Sequence, residues 1–264
     1  MSPNLTQIIF ALGSSDLLVG VDRYSVYPPA AAELPRMGSY MDPDLEALIA
    51  SRPDLVLIVE TDEGLGDKLK GLGIEHREFR NDTVLDVLDS IESLGWLLNK
   101  KARAEELSED FLNASVEIRH ALEGTERTRV ALVVGRNTGR LQDIFVVGSG
   151  SFLNELLELA GGENVFADQA VSYPQVGVES LIGADPDVII DSTLAKGASE
   201  EEYVKLGEDW SAVAGLKAVR NGKIVVAQDG WFQIPGAHMG STIRLFAHWL
   251  HPDIFPEEVN DPNM

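Results

Sequence analysis

Residues 39–57 read SYMDPDLEALIASRPDLVL, and residues 172–190 read SYPQVGVESLIGADPDVII. Displaced by 133 positions, the two segments share seven of nineteen residues: Ser39/Ser172, Tyr40/Tyr173, Glu46/Glu179, Leu48/Leu181, Ile49/Ile182, Pro53/Pro186 and Asp54/Asp187. Each segment begins with a tyrosine in a turn, continues through an amphipathic stretch to a Pro-Asp pair, and ends in an apolar run. This order predicts a short helix that ends before the proline and a buried strand that follows it.

The apolar runs at Leu55–Val59 and Val188–Ile190 do not alternate with polar residues. An uninterrupted apolar strand is typical of a parallel sheet that is covered on both faces. The repeat therefore predicts an α/β fold with two Rossmann-like lobes of similar design. Two such lobes would form a ligand cleft, with one wall supplied by each lobe.

A second pair of segments repeats a helix design. Ser2–Gly13 and Gly150–Gly161 each combine a polar start, apolar residues at helical spacing and a closing glycine. Two strand-like runs, Val130–Gly135 and Ile144–Gly148, precede the second of these helices, whereas none precedes the first. We expect the opening strand of the first lobe to lie upstream of this sequence, or to have been lost from it.

A single long helix is predicted between the lobes. The glycine-free stretch Lys101–Glu123 has apolar residues at helical spacing, and a shorter helical stretch at Thr83–Leu98 precedes it. We therefore predict an N-terminal α/β lobe at 1–98, a bridging helix within 99–126 and a C-terminal α/β lobe at 127–264.

The composition excludes several kinds of partner and chemistry. The chain has 21 Lys and Arg against 43 Asp and Glu, a net charge of −22, which disfavours nucleic acid and anionic membrane surfaces. It contains no cysteine, which removes thiolate catalysis, disulfides and cysteine-ligated metals. We find no catalytic constellation and predict that the protein is not an enzyme and has no resident cofactor.

Two loop motifs have alternative interpretations. Gly148-Ser149-Gly150-Ser151 lacks the Lys of a phosphate-binding P-loop, so a tight turn with a helix cap is favoured. Of five histidines, only His238 lies in a Gly- and Pro-containing loop near aromatic residues, where it could reach a metal in a ligand. For the other four, a solvated or core position is favoured.

Aromatic residues stand beside Pro or Gly in loops of both halves. They occur in DRYSVYPP (22–29), GSYMDP (38–43), VSYPQV (171–176) and DGWFQIPG (229–236). Such loops suit a large, flat, apolar ligand better than a small ion. The candidate ligand-binding residues are Tyr24, Tyr40, Tyr173, Trp231 and Phe232.

These motifs resemble the cluster A, or class III, substrate-binding proteins of ABC importers, which capture cobalamin, haem or ferric siderophores. The resemblance covers nearly the whole chain and rests on SPNLTQIIFALG (2–13), GVDRYSVYPP (20–29), the repeat with LEALIASRPDLVLI (45–58) and VESLIGADPDVII (178–190), and LAGGENVF (159–166). GVDRYSVYPP, AGGENVF with the following YPQV, and DGWF are most similar to the vitamin B12-binding members.

The resemblance implies a partner as well as a ligand. It implies a monomer that holds its ligand in the cleft and docks on a two-fold symmetric ABC permease with its ATPase subunits. Glu46 and Glu179, which are equivalent in the repeat, would each meet arginines of that permease. The alternative is that both are solvated helix glutamates.

The ligand implied by the resemblance is cobalamin or another corrinoid. Tyr24, Tyr40, Tyr173 and Trp231 fall where such proteins place cleft aromatics, although tyrosine stands at Tyr40 and Tyr173 where tryptophan is expected. The tail IPGAHMGSTIRLFAHWLHPDIF (234–255) is more similar to iron-complex or oxyanion binders. Haem, a ferric siderophore or an oxyanion such as molybdate or tungstate are therefore alternatives. An anionic ligand would need loop arginines, for which the candidates are Arg23, Arg36, Arg136 and Arg140.

The resemblance further implies a periplasmic or a membrane-anchored extracellular location. No charged and then apolar leader precedes Ser2, so no signal peptide is visible in this sequence. From the residues alone, we expect either a cytosolic protein or a leader that was removed. Two hypotheses come from other classes of protein, a two-lobed metalloenzyme and a scaffold without a ligand. The absence of cysteine argues against an iron–sulfur version of the first, and a lack of any spectral change with tetrapyrroles would identify the second.

Overall fold

The computed structural model describes residues 1–60, 64–194, 198–257 and 259. These residues form two compact units. The N-terminal unit comprises Met1–Asp110 and Ile234–His238, and the C-terminal unit comprises Phe111–Gln233 and the described residues from Met239 onward. The boundary after Asp110 falls within one continuous helix, Lys101–Ala121.

The N-terminal unit contains a small parallel sheet and four complete helices among its described residues. In chain order its elements are α1 (Pro3–Ala11), α2 (Leu45–Ser51), β1 (Val56–Val59), α3 (Leu65–Gly71), β2 (His76–Phe79) and α4 (Val84–Leu97), followed by the first half of α5 (Lys101–Ala121). Strands β1 and β2 pair in parallel, with Val56 opposite His76 and Val59 opposite Phe79. The core between them and the helices includes Met37, Leu48, Val56, Ile58, Leu65 and Leu69.

The C-terminal unit is built on a mixed sheet. Its elements are β3 (Thr128–Gly135), β4 (Ile144–Val146), α6 (Phe152–Leu159), β5 (Gly162–Asn164), β6 (Gln175–Val176), α7 (Val178–Ala184), β7 (Val188–Asp191), α8 (Glu200–Asp209), α9 (Lys217–Arg220), β8 (Ile224–Val226) and α10 (Met239–Leu250). The strand order is β6-β4-β3-β7-β8, and β5 also pairs with β3. Strand β7 lies between β3 and β8, parallel to both, and its four residues are all buried.

The repeat predicted from the sequence is present in the structure. Helices α2 and α7 occupy equivalent seven-residue stretches, and each is followed by the Pro-Asp pair and a parallel strand, β1 or β7. The predictions of a helix ending before proline and of parallel apolar strands are confirmed. They hold because a proline disfavours helical conformation in the residue before it, and apolar runs are stable where both faces of a sheet are covered.

Helix α1 is buried more completely than its sequence pattern predicts. Its apolar residues Leu5, Ile8 and Ile9 are buried as expected, but so are the polar residues Asn4 and Gln7. The side-chain nitrogen of Asn4 and both polar side-chain atoms of Gln7 have no hydrogen-bond partner in the described part of the chain. Gly236 packs closely on Gln7, because a Cβ in place of this glycine would overlap the Gln7 side-chain amide.

The long helix α5 has the periodicity that the sequence predicts. Its residues Ala104, Leu107, Phe111, Ala114 and Ile118 are buried at intervals of three or four, whereas most of its charged residues are exposed. In the described residues, no helix has both the length and the apolar character that a bilayer-crossing helix needs.

Candidate functional site

Tyr24 lies at the exposed tip of a loop whose backbone is held by hydrogen bonds to polar side chains. Tyr24 is 60% exposed, while the neighbouring Asp22 and Ser25 are buried. Asp22 Oδ1 accepts a hydrogen bond from the Tyr24 amide at 2.8 Å, and its other carboxylate oxygen accepts one from Ser25 Oγ. The guanidinium of Arg36 donates to the carbonyl oxygens of Asp22 and Ser25 at 3.0 and 2.8 Å. The loop backbone is therefore held in place while the tyrosine ring remains exposed.

Tyr40 is at the tip of a neighbouring turn, and the residue is 36% exposed. The Ser39 amide donates to the Asp42 carbonyl at 2.9 Å, and the Asp42 amide donates to Ser39 Oγ at 3.1 Å. Arg23 Nη2 forms an ion pair with Asp42 Oδ2 at 2.8 Å. This pair joins the Tyr24 loop to the Tyr40 turn, so the structure brings these two predicted residues into adjoining loops of the N-terminal unit.

Tyr173 is the corresponding tyrosine of the C-terminal unit, and the residue is 42% exposed. It belongs to the segment Gln169–Tyr173, which packs on the turn Gly148–Ser151. Ser151 is the N-cap of α6, and its Oγ accepts a hydrogen bond from the Leu153 amide. The prediction of a turn and helix cap at this glycine–serine motif is therefore confirmed.

Trp231 and Phe232 are buried, with 5% and 1% of their surfaces exposed. The Phe232 ring packs edge-on against Phe246 and Trp249, with centroid separations of 5.6 and 5.5 Å. The adjacent Gln233 side chain donates to the Ser192 hydroxyl at the end of β7. This short 3₁₀ turn is thus fixed to the core of the C-terminal unit. The assignment of Trp231 and Phe232 as ligand-binding residues stays a prediction.

His238 is half-buried in the N-terminal unit. Its ring stands edge-on to Tyr27, with the centroids 6.2 Å apart. In the described residues, no group of three or more His, Asp or Glu side chains is arranged to hold a metal ion. The role of His238 as an axial ligand to a ligand-borne metal stays a prediction.

Glu46 and Glu179 occupy the same place in their two helices. Each is the second residue of a seven-residue helix, α2 or α7, and each is exposed. A carboxylate in the first turn of a helix also interacts favourably with the helix dipole. Their exposure agrees with both the docking role and the solvated-glutamate alternative, and the docking role stays a prediction.

Arg136 lies in a buried ionic network at the carboxyl ends of β3 and β7. Its Nε donates to Asp191 Oδ2 and its Nη1 donates to Asp209 Oδ2, both at 2.8 Å, and the Arg136 side chain is fully buried. Trp210 Nε1 donates to the same Asp191 oxygen at 2.8 Å. Arg136 Nη2 also donates to the Leu206 carbonyl. All these groups are paired, so the Arg136 guanidinium is used for contacts within the protein.

Three of the four loop arginines considered as anion ligands are used internally. Arg23 pairs with Asp42, Arg36 donates to three backbone carbonyls, and Arg136 belongs to the buried network. Arg140 is exposed. The arrangement therefore offers a ligand aromatic surface and hydroxyl groups rather than a cluster of available guanidinium groups.

Comparison with known proteins assigns the chain to a family. Residues 1–229 match the family described as periplasmic binding protein. The chain belongs to the periplasmic binding protein family. Its resemblance to the class III members, and among them to vitamin B12-binding proteins, is confirmed.

Similar sequences in this family include vitamin B12-binding proteins. One from Vibrio cholerae is 28% identical over 238 residues, covering 89% of this chain and 82% of the relative. One from Salmonella typhimurium is 28% identical over 235 residues, covering 88% and 82%.

Similar solved structures include a vitamin B12 binder and a haem binder. The periplasmic vitamin B12 binding protein BtuF of Vibrio cholerae has a TM-score of 0.79 at 26% identity, covering 98% of this chain and 96% of that one. The periplasmic heme-binding protein BhuT, in complex with two hemes, has a TM-score of 0.78 at 25% identity, covering 96% and 97%. The predicted α/β fold class with two lobes is confirmed.

Two features of this periplasmic binding protein were not identified from its sequence. One is the Arg136–Asp191 network, and the other is the contact of Ser151 with the Tyr173 hydroxyl. For the network a signal was present, because Asp191 ends the otherwise apolar strand VIID and a buried carboxylate needs a paired charge. For Ser151 the only signal was its N-cap position.

Proposed function

We propose that this protein captures cobalamin or another corrinoid and delivers it to an ABC permease. The observation that carries the proposal is the 28% identity to a vitamin B12-binding protein over 89% of this chain. The family is one of binding proteins. The proposal accordingly includes no catalytic residue and no resident cofactor.

In this proposal the ligand contacts are aromatic. Tyr24, Tyr40 and Tyr173 each combine an exposed ring with loop backbone that is hydrogen-bonded in place. Their rings can pack on apolar parts of a corrinoid, and their hydroxyls can bond to its amide groups. Trp231 and Phe232 complete the proposed set, with Phe232 supporting Trp231 through an edge-on ring contact at 6.3 Å.

Haem is the second candidate ligand. It is supported by the similarity to BhuT, whose solved structure is in complex with two hemes. Haem iron commonly takes an axial His or Tyr, whereas cobalamin carries its own lower ligand. His238 is therefore the residue that distinguishes the two ligands.

Oxyanions and anionic siderophores are less favoured by the arginine contacts. A bidentate guanidinium clamp requires an arginine whose donors are not already used. Arg23, Arg36 and Arg136 all donate to groups of the protein. Arg140 remains as a candidate for such a ligand.

We further propose that the protein acts as a monomer outside the cytoplasm, in the periplasm or anchored to a membrane surface. Glu46 and Glu179 would be the contacts to the two halves of the permease, which works with its ATPase subunits. The exposure of both residues at matched helix positions supports this assignment. We also propose the division into an N-terminal lobe at 1–98, a bridging helix within 99–126 and a C-terminal lobe at 127–264.

The experiment is a parallel titration of the purified protein with cyanocobalamin, haem, a ferric siderophore and molybdate, followed by visible spectra and calorimetry. We expect saturable binding of cyanocobalamin whose affinity changes little between low and high salt, because aromatic contacts are not screened by ions. If the wild type binds haem but not cyanocobalamin, and His238→Ala loses haem binding, then haem replaces cobalamin as the proposed ligand. Binding of molybdate alone would refute both tetrapyrrole ligands.

A further inference from the structure

The turn Gly148–Ser151 and the segment Gln169–Tyr173 are joined by a dense set of hydrogen bonds. The amide of Gly148 donates to the Ser172 carbonyl at 3.0 Å, and the amide of Ser149 donates to the Gln169 carbonyl at 2.9 Å. Ser172 Oγ donates back to the Gly150 carbonyl at 2.7 Å. The segment that carries Tyr173 therefore rests on the turn through both backbone and side-chain contacts.

The two glycines of the turn are required by this close approach. A side chain at Gly148 would overlap the Val171 carbonyl, and a Cβ at Gly150 would lie 2.7 Å from the Ala170 carbonyl oxygen. Real Cβ atoms do not approach that closely without displacement of the neighbour. The Gly-Ser-Gly-Ser sequence thus allows backbone-to-backbone packing beneath Tyr173.

Ser151 extends this support to the tyrosine side chain. Its hydroxyl is buried, accepts from the Leu153 amide at 3.2 Å and donates to the Tyr173 hydroxyl oxygen at 3.1 Å. Because the N-cap interaction fixes the Ser151 side chain on α6, the Tyr173 hydroxyl is held relative to a rigid helix. Tyr173 as a residue remains 42% exposed.

The equivalent tyrosine of the repeat has no such tether. Across the described residues, no side-chain hydrogen bond joins the Tyr40 hydroxyl to the protein, and Ser39 bonds only within its own turn. The two repeat copies thus differ in how firmly the tyrosine side chain is held.

We propose that Ser151 is a positioning residue that pre-organises Tyr173 for the ligand. The proposal rests on the proposed function, since it requires Tyr173 to contact the captured ligand. A side chain that is already ordered loses less conformational freedom when the ligand binds, which increases affinity. Tyr173 is then the rigid contact of the pair, and Tyr40 is the adaptable one.

The test is a double-mutant cycle of Ser151→Ala and Tyr173→Phe, read by calorimetry with cyanocobalamin. Ser151→Ala should lower the affinity about two- to tenfold when Tyr173 is present, in line with the loss of one hydrogen bond. In the Tyr173→Phe background, the same change should have no effect within error. Ser199→Ala is the matched control, because it removes the N-cap of α8 in the same unit without touching Tyr173.

A measurement without ligand separates the contact of Ser151 with Tyr173 from the role of Ser151 as the N-cap of α6. In protein labelled at the tyrosine ring, the Tyr173 NMR signal is identified by its absence in Tyr173→Phe. It should shift in Ser151→Ala and in Ser151→Gly, which nearly retains the capping energy, and not in Ser199→Ala. Thermal unfolding of each variant checks that the fold is intact.

The outcomes distinguish the two proposals. If the wild type binds cyanocobalamin and Ser151→Ala has the same effect in both backgrounds, the positioning role of Ser151 is refuted. An unchanged Tyr173 signal in Ser151→Ala and Ser151→Gly also refutes it. If the wild type does not bind cyanocobalamin, the corrinoid proposal fails, and the positioning role for that ligand fails with it.

Discussion

Arg52 and Asp185, which are 133 residues apart in sequence, end their two helices in the same left-handed backbone conformation. Their φ and ψ angles are 47° and 58° at Arg52, and 42° and 65° at Asp185. Each stands directly before a proline, which disfavours right-handed helical conformation in the residue before it. The internal repeat therefore extends from residue types to an unusual backbone conformation, which costs a non-glycine residue roughly 1–2 kcal/mol.

Replacing Arg52 with glycine should stabilise the protein. Glycine adopts this conformation without strain, and part of that gain is offset by its greater freedom in the unfolded chain. We therefore expect the free energy of unfolding in urea to rise by about 0.5–1 kcal/mol. Asp185→Gly should gain less, because Asp185 Oδ1 accepts a hydrogen bond from the Lys217 amide at 2.8 Å. Equal gains at the two sites, or a loss of stability at Arg52, would contradict this account.

Removal of the buried Arg136 guanidinium should destabilise the C-terminal unit strongly. Arg136→Met leaves the Asp191 carboxylate buried without its charged partner, and we expect a loss of about 3–5 kcal/mol in chemical unfolding. Arg140→Met, four residues away at an exposed position, is the control and should change stability by less than about 0.5 kcal/mol. Similar losses of unfolding free energy in Arg136→Met and Arg140→Met would show that the buried ionic network is not responsible for the effect.

His251 should make stability depend on pH. Burial lowers the pKa of His251 below its ordinary value of 6.5, and the hydrogen bond to the Gly161 carbonyl opposes this only in part. Since the unfolded chain then binds a proton more readily than the folded one, stability is retained above pH 6.5 and lost as the pH falls below it.

His251→Gln retains a hydrogen-bond donor for Gly161 but cannot be protonated. We expect its unfolding free energy to fall less than that of the wild type between pH 7 and pH 5. Parallel slopes for the two proteins over this range would exclude His251 as the source.

Trp231→Ala should weaken ligand binding if Trp231 is an anchor. Loss of a large buried aromatic contact costs roughly 1–3 kcal/mol, or about ten- to a hundredfold in affinity for cyanocobalamin. Trp96→Ala removes an exposed tryptophan of the N-terminal unit and serves as the control. If Trp231→Ala lowers the melting temperature but leaves the affinity unchanged, Trp231 has a packing role only.

Glu46→Ala and Glu179→Ala should leave ligand affinity within error but weaken transport. Exposed charges at the rim of an interface mainly govern association with the partner. The measurements are calorimetry for the ligand and uptake in vesicles that contain the permease and its ATPase subunits. Glu117→Ala, an exposed glutamate on α5, is the control. Unchanged uptake by the Glu46→Ala, Glu179→Ala double variant would exclude the docking role.

Several elements could not be predicted from local sequence. Strand β2 has the sequence HREF, with only Phe79 buried, so neither apolar content nor alternation identifies it. It forms because the edge of β1 provides backbone hydrogen-bond partners, which depend on tertiary pairing rather than on side-chain propensity. The burial of Gln7 also could not be predicted from local sequence, since it depends on Gly236, which is distant in sequence.

The sequence by itself determined the fold class, the repeat, the long helix and the family resemblance. These follow from periodicity, proline and glycine positions and recurring motifs, which act over a few residues. It also predicted loop positions for Tyr24, Tyr40 and Tyr173, because Pro or Gly stands near each of them. Only the tertiary structure decided which polar groups are paired: Arg136 with Asp191, and Ser151 with Tyr173. These partners are 55 and 22 residues apart, and a hydrogen bond forms only where the completed fold brings donor and acceptor to about 3 Å.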